Sequence, residues 1–348
     1  MTLLERYRKR LPVSDKTPIV SLGEGGTPLL RSHKLEKALN SSLNIFLKIE
    51  GANPTGSFKD RGMTMAISNA KEHGAKAVVC ASTGNTSASA AAYASAAGLD
   101  CVVLLPRGQV ALGKLSQALI AGAKVVAVDG NFDAALGLVK EAALRFPVTI
   151  VNSINPFRIH GQKTAAFEVS DQLGLAPDYH VLPVGNAGNI TAYWAGYREL
   201  YEDGTIPHLP RMIGFQAAGA APIVLGRVVE KPETIATAIR IGNPASWAGA
   251  IHARDESGGL IDKVEDEEIL RAYQWLAREE GIFVEPASGA AVAGLFKLDR
   301  EKKLPSEGIL VCTLTGHGLK DPDRAIASCP TPPTIAPDMK ALIKVLGW

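Results

Sequence analysis

The sequence predicts an α/β protein of two domains, each built on a mostly parallel open sheet covered by helices. Three observations lead there. Short apolar runs rich in β-branched residues alternate with amphipathic stretches along most of the chain. Strand, helix, strand repeated in this way calls for parallel strands covered on both faces. The joins are short and several close on Gly or Pro, as helix and strand stops do. The length of 348 residues fits roughly two domains of about 150 residues each.

In chain order, residues 60–73 carry the first helical pattern and stop before Gly74. A β-branched run at 77–80 is a strand, and the alanine-rich stretch 86–98 is a helix closed by its own glycine. Strands are then expected at 101–105, 125–128 and 148–151, separated by helical patterns at 114–122 and 133–145. The second half repeats the scheme: helices at 164–173, 190–200 and 266–280, and strands at 181–184, 212–215 and 309–314. No repeat of fixed period and no low-complexity linker interrupts it. The units over 52–148 make one small α/β domain, and 1–51 with 149–348 make a larger one. In such folds a ligand sits in the crevice beyond the carboxyl ends of the strands.

Composition narrows the function. Lys and Arg total 37 against 35 Asp and Glu, a net charge of +2, which leaves no electrostatic footprint for nucleic acid or an acidic membrane surface. With 21% charged and 46% hydrophobic residues, disorder and collagen-like structure are excluded. Aromatics are only 6% while glycines number 34, which suggests close helix–sheet packing rather than a sandwich built on large rings. Cys80, Cys101, Cys312 and Cys329 are scattered without a C-x-x-C pair, against a disulfide framework or zinc site and in favour of a reducing compartment. The start of the chain shows no apolar signal region, and 88–99 is too short and serine-rich to span a bilayer. A cytoplasmic protein is expected.

Several motifs compete for chemistry. Gly108, Gly113 and Lys114 nearly complete a phosphate loop, but Leu115 follows where a hydroxyl is needed. No dinucleotide fingerprint follows a strand, and no metalloprotease pair or serine elbow exists. No metal is expected. Gly185, Asn186, Ala187, Gly188 and Asn189 come directly between a strand and a helix. Small residues there let backbone N–H groups approach an anion at a helix N-terminus, although an ordinary strand–helix turn explains them too. Lys59, in Asn53-Pro-Thr-Gly-Ser-Phe-Lys-Asp-Arg-Gly62, opens a helix whose dipole disfavours an ammonium. That suits a Schiff base and proton shuttling; a solvated surface lysine is the plain alternative. Ser82, Thr83, Asn85 and Thr86 crowd a strand's carboxyl end, as a carboxylate holder or as an ordinary helix cap.

Taken together, Ser57-Phe-Lys-Asp-Arg-Gly62, Ser82-Thr-Gly-Asn-Thr86, Gly185-Asn-Ala-Gly-Asn189 and Leu314-Thr-Gly-His-Gly-Leu-Lys-Asp321 resemble, in order, the signatures of the threonine synthases. The match extends from Gly23 to Pro322 and is similar to the short form without an N-terminal regulatory extension. The resemblance implies the tryptophan-synthase β-like fold (fold type II) and a pyridoxal 5'-phosphate cofactor. It implies that Lys59 carries the cofactor, that Asn85 meets its ring oxygen, that Gly185 to Asn189 hold its phosphate, and that Thr315 meets its pyridine nitrogen. Ser82, Thr83 and Thr86 would meet the substrate carboxylate, and Asn152, Ser153 and Arg158 its phosphate. A guanidinium suits a phosphomonoester through bidentate contact.

The implied reaction converts O-phospho-L-homoserine and water into L-threonine and phosphate, in a homodimer. The same fold hosts serine/threonine dehydratases, which usually show a fuller glycine run and an S-A-G-N-H loop. Glu285-Pro-Ala-Ser-Gly289 is shared in style with them and does not discriminate. A non-catalytic anion-binding relative is the third alternative, set against an intact Lys59.

Overall fold

The structure, a computed structural model, describes residues 1–107, 112–130 and 132–347, apart from the side chains of 112–114, 132, 133 and 136. Gly108 and the Lys114 side chain, two parts of the near-match to a phosphate loop, lie outside the described residues. The chain opens with α1 (Leu3–Arg6), β1 (Leu29–Arg31), α2 (His33–Ala38) and β2 (Ser42–Ile49). It continues through α3 (Lys59–Glu72), β3 (Ala77–Ala81), α4 (Asn85–Ala97), β4 (Asp100–Pro106), α5 (Leu112–Ile120), β5 (Lys124–Val128), α6 (Phe132–Arg145) and β6 (Val148–Ile150). Then come α7 (Pro156–Leu173), β7 (Tyr179–Pro183), α8 (Gly188–Glu202), β8 (Arg211–Ala217), α9 (Pro222–Leu225), α10 (Trp247–Glu256) and β9 (Leu260–Val264). The last elements are α11 (Asp266–Trp275), α12 (Pro286–Arg300), β10 (Glu307–Leu314), α13 (Pro322–Ala327) and α14 (Met339–Leu346).

Two sheets result. A four-stranded sheet, order β5-β4-β3-β6, is parallel throughout. A six-stranded sheet, order β1-β2-β10-β7-β8-β9, is parallel except for the edge pair β1–β2. Both are covered on both faces, as the near-continuous apolar strands require. In β7, Val181 packs with α11 and α12 while Leu182 packs with α7, α8 and α10. In β3, Val78 and Cys80 face α3, α4 and α5, while Val79 and Ala81 face α6. The few aromatics are compensated as expected: Ala90, Ala91 and Ala94 of α4 are buried flat against the sheet.

A close helix crossing positions the site. α3 and α7 meet at Gly62 and Gly161, and a Cβ on Gly161 would lie 2.0 Å from the Arg61 carbonyl oxygen. Only glycine permits backbones this close. The crossing brings the start of α3, with Lys59, beside the start of α7, with Arg158.

The expected start of α7 at residue 164 is corrected to Pro156, where the Asn155 side chain accepts from the Phe157 N–H. Residues 158 and 161–163 are buried yet polar or small, so they show no apolar period. The helix expected over 266–280 is α11 followed by a wider π turn at Leu276–Glu280. Strands β1, β2 and β9 and helices α10 and α12 were not expected. β2 hides behind Lys48, a charge inside an apolar run, and α12 is buried nearly all round and so lacks a polar face.

Candidate active site

The loop before α3 crosses between the sheets and is stitched to the end of β10. Phe58 N–H donates to the Thr315 carbonyl at 3.0 Å, and His317 N–H to the Gly56 carbonyl at 2.9 Å. Asp60 fastens the same loop from behind, accepting from the Thr55 N–H at 2.7 Å and the Ser89 hydroxyl at 2.6 Å. Lys59 is therefore held at the meeting of both sheets. Its Nζ sits 4.1 Å from the centre of the Phe58 ring. Burial and the Arg158 guanidinium push its ammonium down to about 7, partly opposed by Glu285. A lysine so tuned is a competent nucleophile and base near neutrality.

Beneath it lies a charged cluster that the sequence did not announce. Arg61 donates to Glu50 at 2.7 Å and to Glu168 at 2.9 Å, and Lys48 donates to Glu168 at 2.6 Å. All four side chains are essentially inaccessible. Burial alone would raise the Glu168 carboxyl, but Arg61 and Lys48 hold it well below the usual carboxylate range. The cluster ties β2 and α3 to α7. The available signal was Lys48 itself, placed where a strand pattern wants an apolar residue.

Around Lys59 the other expected residues fall as follows. Asn85 opens α4 and donates its Nδ2 to the Glu285 carboxylate at 2.9 and 3.2 Å. Ser82, Thr83 and Thr86 stand partly exposed beside it at the carboxyl end of β3. Asn152 spends its amide on the backbone of Ala81, giving and taking bonds of 2.9 Å. Ser153 Oγ accepts from Asn186 Nδ2 at 2.5 Å, and Asn186 Oδ1 accepts from the Ala245 N–H at 2.6 Å. That amide bridges loops rather than pointing into open space. Arg158, 2% exposed, anchors Nη1 on the Val151 carbonyl at 3.2 Å. It has no acidic partner among the described residues, and its Nε has no acceptor. Burial pushes its guanidinium down to about 10.

The Gly185 to Asn189 turn joins β7 to α8 with Ala187 in the left-handed region at φ +62°. A Cβ on Gly185 would sit 2.8 Å from the Ile239 Cα, so the turn is pressed against the 237–239 segment. Asn189, 7% exposed, has neither amide atom within hydrogen-bond geometry of a partner among the described residues. A buried amide with both ends free calls for a polar ligand, here at the N-terminus of a 15-residue helix. Thr315 Oγ1 lies 3.0 Å from Ser288 Oγ, which also accepts from the Gly316 N–H at 3.0 Å. A buried lysine of depressed pKa, an anion cradle and a paired hydroxyl fit a phosphorylated aldehyde cofactor such as pyridoxal phosphate. No group of three His, Cys, Asp or Glu among the described residues is placed to hold a metal.

The sequence profile described as "Pyridoxal-phosphate dependent enzyme" matches residues 20–316. The chain belongs to the pyridoxal-phosphate dependent enzymes. Within them it is 57% identical to the threonine synthase of Mycobacterium tuberculosis (strain ATCC 25618 / H37Rv) over 346 residues, 99% of this chain and 96% of that one. The threonine synthase of Synechocystis sp. is 57% identical, covering 99% and 91%, and that of Methanocaldococcus jannaschii is 54% identical, covering 98% and 86%. Among solved structures, maize serine racemase superposes with a TM-score of 0.71 at 21% identity, covering 86% of this chain and 91% of that one. The processed form of threonine deaminase isoform 2 from Solanum lycopersicum also gives a TM-score of 0.71 at 21% identity, covering 87% and 83%. These two show the shared pyridoxal-phosphate fold type II. Among the described residues no helix is long and apolar enough to cross a membrane.

Proposed function

We propose that the chain acts as a threonine synthase, converting O-phospho-L-homoserine and water into L-threonine and phosphate. The observation that carries this within the family is Arg158. A buried guanidinium without an acidic partner among the described residues, close enough to Lys59 to depress its pKa, supplies a second anion holder. A dehydratase acting on threonine or serine has no phosphate to place there. The relatives named threonine synthase, alike over nearly the whole chain, support the same reading.

Pyridoxal phosphate, when bound, supplies an electron sink that acidifies the C–H bonds next to the substrate amine. Lys59 holds the cofactor and, once freed by substrate, its Nζ takes the Cα proton and passes protons among the substrate carbons. Residues Gly185 to Asn189 hold the cofactor phosphate, Asn85 its ring oxygen and Thr315 its ring nitrogen. Ser82, Thr83 and Thr86 hold the substrate carboxylate. Arg158, with Ser153, holds the γ-phosphate until it leaves, and Asn152 and Asn186 fix the loops on either side. Water then adds at Cβ. The protein works as a cytoplasmic homodimer, in keeping with four free cysteines for the compartment and with the resemblance for the assembly.

The test is product identification from purified protein given O-phospho-L-homoserine, L-threonine and L-serine in parallel. Threonine and phosphate from the first are expected. A 2-oxo acid from threonine or serine, with no product from the phosphorylated substrate, would overturn the proposal.

A further inference from the structure

Glu285 belongs to a motif that distinguishes nothing in the sequence, yet it occupies the centre of the site. It stands at the N-cap position of α12 without a side-chain cap bond, and its N–H donates to the Gly316 carbonyl at 2.9 Å. An isolated bridge pairs Val284 with His317. The carboxylate is thereby fixed to the end of the six-stranded sheet. From there it reaches Asn85 on α4, over the four-stranded sheet, and its Oε1 also lies 3.5 Å from Thr315 Oγ1. It is 4% exposed.

Two physical consequences follow from a carboxylate at this point. The two ends of an asparagine amide have nearly the same shape, and only the hydrogen-bond partner decides which end faces where. An ionised carboxylate accepts only, so it fixes the Asn85 NH2 toward itself and leaves the second N–H of that nitrogen to be given elsewhere. The carboxylate also sets a negative charge among cations: Lys59 at the start of α3 and Lys320 after β10, with Asp321 opposing. Lys59 in turn faces Arg158 from α7, which works against its protonation. Burial outweighs the rest and moves the Glu285 carboxyl upward from the ordinary carboxylate value, while the Asn85 bond and the two lysines oppose it by favouring the ionised form.

We propose that Glu285 is a positioning residue of this site: it turns the Asn85 amide so that an N–H is offered to the cofactor ring oxygen, and it holds negative charge against the Lys59 nitrogen. The proposal rests on the assignment of Lys59 and Asn85 above. It adds a residue that never touches the reacting atoms and acts through two that do.

The experiment uses the purified holoenzyme and two variants. Glu285→Gln keeps the size and removes the charge, and the absorbance of the lysine-bound cofactor is followed across the pH range in which the fold is stable. An adjacent carboxylate favours the protonated nitrogen, so its loss should lower the midpoint by on the order of one pH unit. Cofactor dissociation is then measured for Glu285→Ala, Asn85→Ala and the double variant. Each single change should weaken retention about tenfold or more, with the double variant little worse than either, because both losses act through one bond. If Glu285→Ala does not fold, Glu285→Gln takes its place in the cycle. An unmoved pH response together with additive losses would overturn the role of Glu285. Borohydride reduction and peptide mapping of the wild type keep the two levels apart. Label on a lysine other than Lys59 would sink the underlying site assignment, whereas label on Lys59 with unmoved Glu285 variants would sink this inference alone.

Discussion

Arg158→Ala separates the proposed threonine synthase activity from the dehydratase alternative. In the structure Nη1 is committed to the Val151 carbonyl, while the edge formed by Nε and Nη2 has no acceptor among the described residues. That edge matches two oxygens of a phosphomonoester. Two charge-assisted hydrogen bonds at about 1.5–3 kcal/mol each mean a loss of at least about 3 kcal/mol, or roughly a hundredfold in kcat/KM for O-phospho-L-homoserine. Deamination of L-threonine, which carries no phosphate, should change little. The fold should survive, because burial already disfavours this charge and holds its pKa down at about 10. A second readout comes from the cofactor-free protein. Lys59, held at about 7 by burial and by Arg158, should titrate at higher pH in the variant when its acylation is followed against pH. Equal loss on both substrates with an unmoved Lys59 would refute the reasoning and leave Arg158 a structural residue.

The remaining predictions are more local. Gly161→Ala would place a methyl 2.0 Å from the Arg61 carbonyl. It should destabilise the protein by about 1–3 kcal/mol or more, and an unchanged urea midpoint would show that α3 and α7 can part freely. In Gly188→Asp the new Cβ would meet only Ile159 Cδ1 and Ser246 Oγ, both at 3.8 Å, so the backbone position itself admits a side chain. The added charge at the helix start should weaken cofactor binding by about tenfold with the melting temperature retained, and full retention at low cofactor concentration would move the cradle elsewhere. Glu168 has its folded pKa depressed, so its contribution to stability is complete above the ordinary carboxylate range and is lost as pH falls through the lower folded value. Glu168→Gln should therefore cost about 3–5 kcal/mol at neutral pH and flatten the acid limb of stability measured by urea titration. An acid limb as steep as in the wild type would assign that limb to other carboxylates.

The sequence made the alternating architecture legible because its buried parallel strands are uniformly apolar and short. The runs at 77–80, 101–105 and 309–314 lie within β3, β4 and β10. What it concealed follows from burial of polar groups. Lys48 broke the pattern of β2 because its ammonium is satisfied by Glu168, a partner 120 residues away that no local pattern discloses. α7 lost its first eight residues to the reading because Arg158, Gly161, Gln162 and Lys163 are buried for packing and charge rather than for apolar contact. In the candidate site the motifs pointed to Lys59, Asn85 and Thr315, but they did not disclose that Asn152 and Asn186 spend their amides on neighbouring backbone and side chains. The weight of Glu285 emerged only once α12 was seen to place it opposite Asn85.

The position of β10 sets an order of assembly. It lies between β2 and β7, pairing Leu314 with Ile49 on one side and Cys312 with Val181 on the other. A growing chain makes β2 early and the strand that completes its ladder only near the end. Until residue 314 has emerged, β2 and β7 each carry an open row of amide and carbonyl groups, the arrangement that invites pairing with another chain. The loop before Lys59 is also incomplete until then, because Phe58 has no Thr315 carbonyl to bond. Nascent protein therefore passes through a long interval in which the four-stranded sheet has all its strands but Lys59 is not yet secured, and truncation before β10 would leave it there.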